Sequence, residues 1–163
     1  MTPTPVYERE EPLSDSPPFL PPRNRMAVAL LALLGLLVSL YMLAYAMGLT
    51  GPVICGIGNC EAVQNSPYAR MGPVPVAGFG TLGYLCLLIV SFLGLQPKSQ
   101  GSRFVPVALI SGGVVGVGFS AYLTYLEAFV IHAWCQWCIA SAVIMVLAFL
   151  ASLPELGRIG ESK

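Results

Sequence analysis

The chain has 163 residues, of which 56% are hydrophobic and only 10% are charged, against roughly 25% charged in an average soluble domain. A soluble fold of this length would need far more polar surface to cover its core. Basic and acidic residues balance at eight each, and no basic run could track a phosphate backbone, which sets nucleic-acid binding aside.

Residues 1–25 carry five prolines between Pro12 and Pro22 and have little to bury, so this stretch reads as a disordered tail. Met26 to Met47 follows, 22 residues without a charge; as a helix it would be about 33 Å long, enough to cross a hydrocarbon core of about 30 Å. Ala44-Tyr45-Ala46 resembles a small-x-small cleavage site. The apolar stretch, however, exceeds the 7–15 residues of a signal peptide and follows a long acidic tail, so it reads as a retained span. After the loop Gly48–Pro75, Val76 to Leu95 is a second uncharged stretch and Phe104 to Leu126 a third. The fourth, Trp137 to Leu153, has 17 residues, the lower limit for a span, and extending it back to His132 restores the length. Residues 154–163 form a short tail. None of the four segments alternates polar and apolar residues as barrel strands do. The expected fold class is therefore all-α, an integral membrane four-helix bundle with residues 26–153 as its domain.

Basic residues orient it. With the N-terminus in the cytoplasm, Arg9, Arg23, Arg25, Lys98, Arg103, Arg158 and Lys163 lie inside and only Arg70 outside, a strong positive-inside bias. Both termini are then cytoplasmic. The long loop between the first two spans and the connection around His132 share the extracytoplasmic face.

That face holds four of the five cysteines: Cys55 and Cys60 in the long loop, and Cys135 and Cys138 at the mouth of the fourth span. An oxidising compartment permits disulfides, so both pairs can cycle between thiol and disulfide. A C-x-x-C at a helix start gains from unpaired amides and the helix dipole, which stabilise a thiolate. With the helix starting near Gln136, Cys138 lies in the first turn and should gain most, leaving Cys135 more accessible to another thiol. Two blander readings compete. Inert staples across such short loops would stabilise little, and a four-cysteine zinc site does not suit an oxidising membrane surface, so no metal is expected. Cys86, among apolar neighbours, reads as a small buried hydrophobe.

Four motifs occur in order: Gly58-Asn59-Cys60-Glu61-Ala62-Val63, Ser66-Pro67-Tyr68-Ala69, Pro75-Val76-Ala77-Gly78-Phe79-Gly80 and Cys135-Gln136-Trp137-Cys138. Together they resemble the vitamin K epoxide reductase homologues, in the bacterial form without a fused thioredoxin-like domain. The resemblance implies a bundle that holds a quinone, ubiquinone or menaquinone, near the extracytoplasmic surface. It implies Cys135 and Cys138 as the active pair, with Cys138 donating to the quinone. Cys55 and Cys60 become the shuttle pair, Cys60 exchanging with Cys135 and Cys55 meeting the outside partner. Ser66 matches a hydroxyl used near the quinone. The chain stops ten residues past Leu153, so the expected electron donor is a separate thioredoxin-fold, DsbA-like protein. The vertebrate enzymes have a tyrosine where this chain has Ala142, which speaks against vitamin K epoxide as the substrate.

Phe79, Tyr84 and Tyr122 are the expected quinone-stacking residues, with Trp134 and Trp137 also at belt depth. Gly35/Ser39 and Gly112/Gly116 read as close-packing pairs. Glu127 and His132 fall near the outer end of the third span, His132 as an interfacial polar residue, and Glu61 solvates the loop. Gly56 and Gly58 supply backbone freedom for the loop to swing. The expected function is quinone-dependent oxidation of the thioredoxin-fold partner, driving disulfide formation at a bacterial inner membrane. A DsbA-like oxidant at about −120 mV needs such a stronger sink. The alternatives are a vitamin K quinone or epoxide reductase and a non-enzymatic, disulfide-stapled scaffold.

Overall fold

In lipid every backbone N–H and C=O must find a partner within its own segment, which makes long uninterrupted helices of the uncharged runs. A computed structural model describes residues 23–96 and 102–157. It contains α1 (Arg23–Ala46), a short α2 (Cys60–Gln64), α3 (Val76–Leu95), α4 (Phe104–Tyr125) and α5 (Gln136–Ser152). Four helical segments, Arg23–Ala46, Val76–Leu95, Phe104–Ile131 and Gln136–Gly157, are long and apolar enough to cross a membrane. Most of the tails, and Arg9, Lys98, Arg158 and Lys163 among the orienting basic residues, lie outside the described residues.

The fourth span gains its length at the other end from the one expected. Residues His132–Trp134 are not helical, His132 having a left-handed φ of 54°, and the extra turn lies beyond Ser152, up to Gly157. Pro154, which lacks an amide hydrogen, interrupts the ladder there without ending the apolar run. The third span is prolonged by a wide helical turn, Leu126–Ile131.

Helix α1 packs against α3 and α5, and α4 packs mainly against α5. Small residues allow the close approaches: the Tyr84 ring sits where a side chain on Gly35 would lie, and Met145 does the same at Gly116. One buried cluster, including Val28, Ala32, Leu87, Val105 and Leu109, fills the half remote from the C-x-x-C. At that end Arg25 and Glu155 are both fully buried. The Arg25 guanidinium donates to both Glu155 oxygens at 2.6 and 3.1 Å and to the Gly94 carbonyl at 2.6 Å. Asn24 also donates to Glu155. Three helical segments are thereby tied at one point.

The second cluster, Met42, Cys60, Val63 and Cys135, closes the opposite end. There the loop between α1 and α3 folds into α2, a short 3₁₀ turn (Pro67–Ala69), and a two-residue hairpin of β1 (Arg70–Met71) and β2 (Val74–Pro75). Asn59 caps α2, its side-chain oxygen accepting the Ala62 amide at 3.0 Å.

Candidate redox site

The loop is held against the start of α5 rather than left to swing. Gly58 pairs with Cys135 in an antiparallel bridge, and the Asn59 amide donates to the Trp134 carbonyl at 2.8 Å. Gly58 has a φ of +88°, and any β-carbon there would strike the Trp134 carbonyl, so glycine serves close approach as well as turning. The two residues inside the C-x-x-C supply further ties. The Gln136 side-chain oxygen accepts the amides of Gly56 and Ile57, each at 2.9 Å. The Trp137 indole donates to the Ile54 carbonyl at 2.9 Å, while the Ile54 amide donates to the Tyr41 hydroxyl at 3.2 Å. The Trp137 and Tyr41 rings are 5.1 Å apart.

This latch sets the cysteines in a line. Cys55 and Cys60 form a disulfide. Cys55 is half-buried beside the exposed Ile54 and Ile57, whereas Cys60 and Cys135 are 0% exposed in one cluster. Cys135 and Cys138 are free thiols. Gln136→Ala removes the acceptor of two hydrogen bonds, each worth about 1 kcal/mol. We expect exchange between Cys60 and Cys135 to slow about tenfold, with the melting temperature nearly unchanged. Gln136→Glu, which keeps the oxygen, should restore it. Equal exchange rates in all three proteins, read by quenched-flow alkylation, would discard the latch.

The first turn of α5 favours a thiolate, but on the other cysteine from the one expected. Amides at a helix start point back past the N-cap, and Cys135 is the N-cap. A hydrogen bond from the Cys138 thiol is the main reason the Cys135 thiol is pulled below its usual range; the first-turn amides of Cys138 and Trp137 add to it. Burial and the nearby Glu127 carboxylate oppose the shift.

Glu127 is the residue whose place the sequence did not disclose. It is 3% exposed. Its carboxylate accepts the Cys135 amide at 3.0 Å and lies within hydrogen-bonding reach of the Cys138 thiol. The wide turn holds it there: its backbone carbonyl accepts the amides of His132 and Ala133. His132 itself is exposed and bonds locally, to the Val130 carbonyl. The available signal was a lone acid closing an otherwise uncharged run eight residues before Cys135.

Behind Cys138 lies a cavity of about 700 Å³ between the helices, within the range of small-molecule sites. Its walls are largely apolar, from α1, α3, α4 and α5, and the loop residues Val63, Gln64, Ser66 and Tyr68 cover it. Cys138 lines it and Cys135 does not. Among the expected quinone contacts, Ser66, Phe79 and Tyr84 are on its wall. The Ser66 hydroxyl donates to the Val63 carbonyl at 2.7 Å, and the Tyr84 hydroxyl to the Ser141 carbonyl at 2.7 Å. Tyr122 is not on the wall. It is 49% exposed, because the cavity face of α4 runs through Phe119, Ser120, Leu123 and Thr124 and turns Tyr122 away. Trp134 also lies outside, whereas Trp137 and Gln64 are on the wall. The Gln64 amide is 3.9 Å from the Cys138 sulfur. Cys86 reaches the cavity but is exposed, not a buried hydrophobe.

A membrane-spanning bundle with two cysteine pairs brought together beside an apolar cavity agrees with the comparison against known families. The sequence model of the vitamin K epoxide reductase family matches residues 26–153. With the match running from the first span through the fourth, the chain belongs to the vitamin K epoxide reductase family.

Proposed function

We propose that the protein is a quinone-dependent thiol–disulfide oxidoreductase that reoxidises a separate thioredoxin-fold, DsbA-like partner and so drives disulfide formation outside the cytoplasm. Family membership and the gathered cysteines support the oxidoreductase itself. The observation that carries the finer reading is the gradation of the sulfurs: Cys55 half-buried in the loop, Cys60 and Cys135 fully buried in one cluster, Cys138 on the cavity wall.

Electrons enter when a partner thiolate attacks Cys55 and releases Cys60 as a thiolate. Cys60 then attacks Cys135 of an inner disulfide and releases Cys138. The partner's second thiolate then attacks the mixed disulfide, which leaves the partner oxidised and frees Cys55. Cys55 displaces Cys135 from Cys60, leaving an oxidised loop beside an inner dithiol. Each exchange breaks one S–S bond and makes one. A quinone in the cavity supplies a two-electron, two-proton sink. The apolar walls suit its ring and prenyl chain, with Ser66, Gln64 and Phe79 positioned to hold the ring. Ala142 also lines the cavity and offers no hydroxyl, so epoxide reduction is not proposed.

The inferred setting is a bacterial inner membrane with both cysteine pairs outside and both termini inside. Purified protein with a reduced thioredoxin-fold donor should turn over ubiquinone or menaquinone analogues and leave the epoxide unreduced. The Cys86→Ser protein should retain most of this activity. In intact reduced cells an impermeant maleimide should label Cys55 but not a Ser99→Cys site. Absence of quinone turnover, or inverted labelling, would remove the oxidase reading.

A further inference from the structure

Disulfide formation from two thiols releases two protons as well as two electrons, and the inner pair is sealed from water on most sides. Cys135, favoured as a thiolate, has already given up one of them. The other is on Cys138, in a cavity lined, among the described residues, by no lysine, arginine or histidine. One carboxylate reaches that sulfur: Glu127, nearly fully buried, accepting the Cys135 amide and lying against the Cys138 thiol. A buried acid at a reacting atom has the geometry required of a general base.

We propose that Glu127 is the proton acceptor of the inner pair, taking the Cys138 thiol proton as the dithiol closes and returning it when the disulfide is reopened. The proposal rests on the inner pair being the thiol–disulfide centre, and it assigns a catalytic role to a residue of the third span. Among the described residues the remaining titratable groups around it are Cys135 and Cys138 from α5, Cys55, Cys60 and Tyr68 from the loop, Tyr41 from α1, and Tyr84 with Cys86 from α3, and none of these is a second carboxylate or an imidazole.

The role can be read without quinone. In the reduced full chain, the Cys135 thiolate attacks 4,4′-dithiodipyridine, forming a mixed disulfide and expelling one thiopyridine. Cys138 passes its proton to Glu127 and attacks the Cys135 sulfur. That closes Cys135–Cys138 and expels the second thiopyridine, and the proton on Glu127 leaves to solvent. Mass spectrometry of acid-quenched samples separates the mixed disulfide from the closed pair. Glu127→Gln keeps an oxygen for the Cys135 amide but cannot take a proton. Closure at pH 7 should slow on the order of 10²-fold and recover toward the natural rate near pH 10, where hydroxide replaces the base. Glu127→Asp should restore part of the rate at pH 7.

Closure by Glu127→Gln at the natural rate across the whole pH range would overturn the proposal. So would slowing without alkaline recovery, which would make Glu127 only a positioning residue. Failure of the natural protein to reduce any quinone, with Glu127-dependent closure intact, would remove the oxidase reading and leave this one standing.

Discussion

Cys138→Ser should lose quinone reduction by more than about 10³-fold and accumulate a disulfide between Cys60 and Cys135. The reason is positional. Cys138 is the member of the inner pair on the cavity wall, and Cys135 is the member fully buried in one cluster with Cys60. With Cys138 gone, the Cys135 thiolate can still attack Cys60 of the loop disulfide. One S–S bond breaks and another forms, so no oxidant is needed, and Cys55 is freed as a thiol. The product has no inward route, since serine cannot displace a sulfur, and the freed Cys55 thiol can open the disulfide of an oxidised partner and hold it as a mixed disulfide. Peptide mapping of unreduced protein should show the Cys60–Cys135 bond in this variant and not in Cys135→Ser. A Cys60–Cys138 bond in Cys135→Ser, with quinone reduction intact, would reverse the order of transfer.

Arg25→Ala should destabilise the bundle by about 3–5 kcal/mol while leaving the chemistry at the far end unchanged in whatever protein remains folded. The substitution takes the guanidinium away from the fully buried Glu155 carboxylate, to which Asn24 still donates, and frees the Gly94 carbonyl from its bond to Arg25. Removing one partner of a buried pair costs more than removing both. Arg25→Met combined with Glu155→Leu should therefore recover much of the loss. Denaturation in detergent, followed by cysteine accessibility in the core, measures both. An unchanged midpoint for Arg25→Ala would show that the cluster does not hold α1, α3 and the end of α5 together.

Much of this architecture is carried by local sequence. Uncharged runs cannot stay in water and cannot leave backbone groups unpaired in lipid, so their number and length determine four spanning helices almost unaided. Val76–Leu95 is bounded in the structure as the residues alone suggest. The Cys135–Cys138 spacing places that pair at a helix start for equally local reasons. Contacts between segments remote in sequence could not be read in this way. Ile54 and Gly56 meet α5 across about eighty residues, through Gln136 and Trp137, whose identities suggest nothing by themselves. Asn59 does carry a capping signal for α2, and the loop was nonetheless expected to be free. Tyr122 carries a ring suited to stacking, but the rotation of α4, set by its packing, turns it off the cavity. Glu127 shows the difference most clearly. The sequence places an acid near the outer end of an apolar run and carries no sign of its burial, which is costly for a carboxylate. Only the wide turn after Tyr125, and the seating of the α5 start against it, brings that carboxylate to the Cys135 amide and the Cys138 thiol, whose hydrogen bonds offset the burial.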